Sequence, residues 1–175
     1  MSMDANQIIE ALAVAAGDCI WCKELAFAGG ARRCDFWKLE PQPSKGYRAT
    51  AYEVKISRAD FKRDSHKKQR EARLFSDKFF YVTPPGLVKA EQVPDWAGLI
   101  EYDGNALRKI IEAPLRDKDM PSWELMVSII RYNSEIRRDV GMQEQVIKSL
   151  RWQIVEAKKK IAEIGMMPWE FHLHG

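Results

Sequence analysis

Asp35, in Arg32-Arg33-Cys34-Asp35-Phe36-Trp37, and Glu53 and Lys55, in Ala51-Tyr52-Glu53-Val54-Lys55, have the types and spacing for acid, base or metal chemistry. On a strand, side chains alternate between faces, so Glu53 and Lys55 leave one face together while Val54 leaves the other. An acid on one strand, with an acid and a lysine on its neighbour, gathers two carboxylates and an ammonium around one point. Such a set suits metal-assisted hydrolysis of a phosphodiester. Mg²⁺ or Mn²⁺ takes oxygen ligands and keeps several waters, so one or two carboxylates suffice to hold it against a phosphate. The ion polarises the phosphoryl oxygen and acidifies a bound water, and a lysine nearby orients the nucleophile or offsets developing charge. A lone Glu-x-Lys is equally the pattern of an ion pair on a sheet surface, so the elements around it decide.

Both segments are rich in aromatic and β-branched residues, and Pro41-Gln42-Pro43-Ser44-Lys45-Gly46 between them is turn-forming, which predicts adjacent strands over Arg32–Leu39 and Tyr47–Ile56. Upstream, Ile8, Ile9, Leu12, Ala13 and Ala16 have helical spacing, with Gly17-Asp18 as a stop. A strand then runs from Ile20 to Phe27. If Gly29-Gly30 forms a tight hairpin loop, Glu24 falls opposite Asp35. Like charges opposed across strands destabilise a sheet unless a cation lies between them. A metal, Arg33 or Lys55 would serve.

Ser57-Arg58-Ala59-Asp60 has the form of a helix start, with Ser57 as N-cap, and predicts a basic helix from Arg58 to about Ser76. From Lys55 to Arg73 there are eight cations against three carboxylates, so a net charge of +3 for the whole chain conceals a strongly positive segment. A polyanion placed at the acid-lysine cluster would lie beside it. Lys78-Phe79-Phe80-Tyr81-Val82-Thr83 reads as a buried central strand reached by that helix as a crossover. Leu99-Ile100-Glu101-Tyr102 reads as a short last strand, closing the domain near Pro114.

The 175 residues, with 30% charged and 46% hydrophobic side chains, suffice for one domain with a core and an appendage. The apolar run from Ile8 to Ala16 is interrupted by Glu10 and too short to span a bilayer, so a cytoplasmic protein without membrane contact is expected. Three cysteines imply no disulfide framework, and Cys19-x-x-Cys22 lacks the second ligand pair that structural zinc requires. From Trp123 to Ile164, Met126, Ile129, Asn133, Ile136, Val140, Gln143, Ile147, Leu150, Ile154, Ala157 and Ile161 recur at steps of three and four. The seam predicts a long helix in a coiled coil or packed hairpin, with a homodimer as its natural partner arrangement. A helix lying back on its own domain has the same pattern.

Taken in order, these blocks resemble the PD-(D/E)XK nuclease core. Arg33-Cys34-Asp35-Phe36-Trp37, Tyr52 through Phe61, Phe80 through Leu87 and Val93-Pro94 through Ile100 are similar to the MmcB-like DNA-repair proteins and their phage relatives, over roughly the first two thirds of the chain. The resemblance implies an α/β, restriction-endonuclease-like core over residues 1–116 (helix, three-strand meander, crossover helix, further strands), followed by a C-terminal helical arm over 117–175. It implies a Mg²⁺-dependent nuclease acting on DNA in repair or phage DNA processing, with Asp35 and Glu53 as metal ligands and Lys55 positioning the attacking water. A further carboxylate often comes from the first helix in this superfamily, which nominates Glu10, whereas the hairpin register nominates Glu24. Lys62, Arg63, Lys67, Lys68 and Arg70 become phosphate contacts. Cys34 stands where the family usually has Pro. The rival expectation is a nucleic-acid-binding protein on a nuclease-like core that does not cut.

Overall fold

Strands apolar on both faces belong at the centre of a sheet, and two segments here meet that condition: β3 (Ala49–Val54), buried throughout, and β4 (Lys78–Thr83), buried from Phe79 onward. They pair in parallel, Tyr52 against Phe80 and Glu53 against Tyr81. Around them the chain builds one mixed six-stranded sheet in sequential order, with β1 (Ile20–Phe27), β2 (Arg32–Leu39), β5 (Gly98–Tyr102) and β6 (Leu107–Ile111). The β1/β2, β2/β3 and β5/β6 pairs are antiparallel, and β4/β5 is parallel. This computed structural model describes residues 3–27, 32–132 and 140–163. The predicted Gly29-Gly30 loop lies outside them.

Each face of the sheet has its own core. The first helix, α1 (Ala5–Ala16), ends at Gly17, whose φ of +52° few other residues adopt without strain. It lays Ile8, Leu12 and Ala16 on Phe36, Tyr52, Val54, Phe80 and Val82. On the opposite face Trp37, Ala51, Phe79, Tyr81 and Leu99 are covered by Ala72, Phe61, Phe75 and Leu125. Here the structure corrects the expected long basic helix. Two short helices, α2 (Arg58–Lys62) and α3 (Arg70–Leu74), flank a turn, because Asp64 and Ser65 turn their side chains onto the backbone of Ser65 and Lys68 instead of continuing the helix.

The sixth strand was not foreseen. Asp103 Oδ1 accepts the amides of Asn105 and Ala106, closing a hairpin through Gly104 at φ +94°. Its partner β6 is an edge strand with little burial alternation. Gly98 marks a close approach: a Cβ there would fall 2.4 Å from Phe80 Cε1 and 2.7 Å from the Ala113 amide nitrogen. Gly98→Ala is therefore expected to cost about 2–3 kcal/mol of stability by forcing β4 and the strand exit apart. Urea denaturation checks this, and an unchanged midpoint would contradict it.

Helix α4 (Trp123–Tyr132) packs on the sheet domain, with Leu125 buried and Ile129 against the same core. The chain accordingly divides into two compact units, Met1–Asn133 and Ser134–Gly175, where the sequence had placed the start of the arm at residue 117. The seam residue Met126 is partly exposed and Leu125 takes the inward position. In the second unit α5 (Val140–Glu163) is a 24-residue helix whose Ile147, Leu150 and Ile154 are half exposed. The seam residues Asn133, Ile136 and Ile164 lie outside the described residues. Among the described residues no helix is long and apolar enough to cross a membrane.

Candidate active site

The β1/β2 register places Ile20 against Leu39 and Leu25 against Cys34, which carries Glu24 to the level of Asp35. At that level the alternation of faces inverts in both strands together. Cys22 and Trp37 face one core, Phe36 faces the other, and Leu25 and Cys34 return to the first. Glu24 has φ +51°, a conformation that costs a non-glycine residue energy, and its carbonyl accepts the Tyr132 hydroxyl of α4 at 3.1 Å. Because both strands turn over at once, the register survives.

Asp35 is thereby freed from either core. The β2/β3 ladder ends with Phe36 against Tyr52, and beyond it Asp35 Oδ2 accepts the Val54 amide at 2.7 Å. Glu53 on β3 and Lys55 just past its end leave the same face as the spacing required, and Lys55 Nζ donates to Glu53 Oε1 at 2.8 Å. Both are nearly buried, at 8% and 7% exposure. The ammonium lies 3.3 Å from Asp64 Oδ2 and 3.8 Å from Asp60 Oδ2, so three carboxylates share one lysine.

Burial pushes the Glu53 carboxyl up to about 7, and the Asp35 charge adds to the rise against the pull of Lys55. Asp35 is also raised, by burial first, against the hydrogen bond from Val54 and the attraction of Lys55. For Lys55, burial pulls downward, yet Glu53, Asp64 and Asp60 outweigh it and hold the ammonium charged. Glu53 Oε2 is buried without a hydrogen-bond partner. An unpaired buried carboxylate oxygen is costly, and because Lys55 meets only Oε1, Oε2 is left open to a second cation.

The donor set, two carboxylates and no thiolate or imidazole, fits a hard cation of the Mg²⁺ or Mn²⁺ kind better than zinc. Among the described residues no group of three or more His, Cys, Asp or Glu forms a ready metal cage. Glu24 is exposed but near enough to raise the Asp35 carboxyl. Glu10 is not brought to this place. It sits on α1, whose apolar side packs on the opposite face of the sheet, and pairs with Lys23 at 2.5 Å.

Sequence reasoning missed Asp64. Its side chain is 2% exposed, accepts from Gln69 Nε2 at 2.8 Å and faces the Tyr81 hydroxyl. The signal was Asp64-Ser65-His66, poor helix formers inside an expected helix. Lys62, Arg63, Lys67, Lys68 and Arg70 are exposed around this turn, and Arg63 reaches within 3.9 Å of Asp60.

No family model matches the chain, and no curated protein matches it. Among solved structures it is similar to a protein of unknown function from Silicibacter pomeroyi, at 22% identity and a TM-score of 0.53, over 84% of this chain and 88% of that one. The likeness extends to the fold alone, a mixed α/β sheet flanked by helices.

Proposed function

We propose that the protein is a Mg²⁺-dependent nuclease of the PD-(D/E)XK type acting on DNA, with a restriction-endonuclease-like core. One observation carries the reading: Asp35 and Glu53 converge from adjacent strands beside Lys55, with Glu53 Oε2 left unpartnered and its carboxyl raised to about 7. Asp35 and Glu53 would hold the ion, Asp35 fixed by the Val54 amide and Glu53 by Lys55. When bound, the ion supplies Lewis acidity toward a phosphoryl oxygen and a more acidic water. Lys55 Nζ, held charged by Glu53, Asp64 and Asp60, orients that water and meets the negative charge that grows on the phosphate. Asp64 keeps the ammonium aimed, and the exposed cations of the 62–70 turn lie along the approach of the backbone. The half-exposed Ile147, Leu150 and Ile154 stripe of α5 supports pairing of two copies into a coiled-coil arm.

The low exposure of Glu53 and Lys55 favours, as a second reading, a nucleic-acid-binding protein that does not cut. Incubation with labelled duplex and single-stranded DNA separates the two. We expect cleavage with Mg²⁺ or Mn²⁺ and none with chelator. Neutralising Lys62, Arg63, Lys67 and Lys68 together is expected to weaken binding across sequences and to flatten the salt dependence by roughly 0.9 for each duplex phosphate that is no longer neutralised. DNA shifted equally with chelator and never cut would leave only the binder. A monomer in sedimentation at micromolar concentration would remove the paired arrangement.

A further inference from the structure

Beyond the acid-lysine cluster, on the strand face that carries Tyr81, a cavity of about 390 Å³ is lined by Arg73, Phe79, Trp96, Pro114, Arg116 and Asp117. Its back wall is apolar, and its charged groups are two arginines and the Asp117 carboxylate. The Arg73 guanidinium lies 4.1 Å from the centre of the Trp96 ring. That ring is itself boxed in by Phe79, Tyr81 and His66, so Arg73 is held on a fixed platform. Its Nε is buried with no hydrogen-bond partner.

Stacking on Trp96 accounts for where Arg73 sits, but leaves two things unexplained. No described carboxylate comes within ion-pairing distance of either Arg73 or Arg116. The two guanidiniums also repel: burial first, and Arg116 next, draw the Arg73 group down, with Tyr81 and Asp95 opposing. Asp117, which also lines the cavity, is exposed and forms no ion pair with either. Two guanidiniums that line one recess without an ion-pair partner would each gain from an anion placed between them.

We propose that the Arg73–Arg116 recess is a binding site for a phosphomonoester. A guanidinium presents a planar pair of donors that matches phosphate oxygens, and two of them match a group with three terminal oxygens and a charge of about −1.5 to −2. A carboxylate would leave one fork unused. The group arrives either at the end of a nucleic-acid strand or as a free small phosphate. The site stands apart from the nuclease reading, since it needs no metal and no cleavage.

The test is calorimetric titration of the full chain with inorganic phosphate, in chelator and at constant ionic strength. Saturable binding is expected, weakened about tenfold or more in Arg116→Gln, which alters a half-exposed side chain, and in Arg73→Gln, and kept in Glu53→Gln. Absence of saturable binding to the wild-type chain, or wild-type affinity in the two arginine variants, overturns the site. Single strands that differ only in a 5′-phosphate or a 5′-hydroxyl then identify the source. A preference for the phosphorylated end that vanishes in Arg116→Gln assigns a strand terminus, and phosphate binding without end preference assigns a free phosphate. A wild-type chain that cleaves DNA but binds no phosphate would sink this proposal alone, and one that binds phosphate but never cleaves would sink only the nuclease.

Discussion

Glu53→Gln is expected to abolish metal-dependent cleavage while making the metal-free protein more stable above neutral pH. The Glu53 carboxyl is raised from 4.5 to about 7 in the fold. Between those values the folded chain holds a proton that the unfolded chain has released, so stability falls as pH rises through that window and stays reduced above it. Glutamine carries no charge to bury, and Lys55 keeps Asp64 and Asp60 as partners. The gain should be about 1–3 kcal/mol above pH 7 and vanish below the ordinary carboxylate range. Urea midpoints on either side of the window measure it, and a variant less stable at alkaline pH would show that Glu53 is not under electrostatic strain. Cleavage should drop by about 10³-fold or more through loss of a ligand and of the charge that holds the ion. The wild-type affinity for Mn²⁺ should in turn rise with pH and level off above about 7, because the ion must displace the Glu53 proton. An affinity independent of pH would place the ion elsewhere.

How far the site was legible follows from which of its contacts are local. The period of two already joins Glu53 to Lys55, and the register expected if the paired glycines were the loop, which levels Glu24 with Asp35, is the register of the β1/β2 ladder. The inversion of faces at that level was not visible, because the backbone conformation of Glu24 is stabilised from α4, more than a hundred residues away, through Tyr132. Asp64 was hidden for the same reason. Its partners are Lys55 on the end of β3, Gln69 beyond the turn and Tyr81 on β4, and in the sequence it is only one acid among many cations. The start of the seam, over α4, was ambiguous in a different way. A helix that buries Leu125 and Ile129 on its own sheet has the same three-and-four spacing as one that buries them on a second copy. Only the packing partner distinguishes them, and spacing does not encode it.

Lys55→Met is expected to separate catalysis from metal binding, because the lysine competes for the carboxylate the ion needs. Its ammonium occupies Glu53 Oε1 at 2.8 Å and offsets the charge of Asp60 and Asp64. Methionine fills much of the same volume without a charge, so the site becomes more negative. The affinity for Mn²⁺ should therefore rise by about tenfold, a modest fraction of the Coulomb interaction between neighbouring charges at an effective dielectric of about 20. Cleavage should nonetheless fall by about 10³-fold, since among the described residues no other cation pairs with Glu53 to orient the water or meet the developing charge. The metal-free variant should also lose about 3 kcal/mol of stability at alkaline pH, where Glu53 and Asp64 are left buried without their cation, and recover most of it when Mn²⁺ is added. Calorimetric titration, cleavage assays and melting with and without the ion measure the three effects on one preparation. Unchanged cleavage would remove Lys55 from the chemistry, and weaker metal binding would mean that the lysine organises the carboxylates and does not compete with the ion for them.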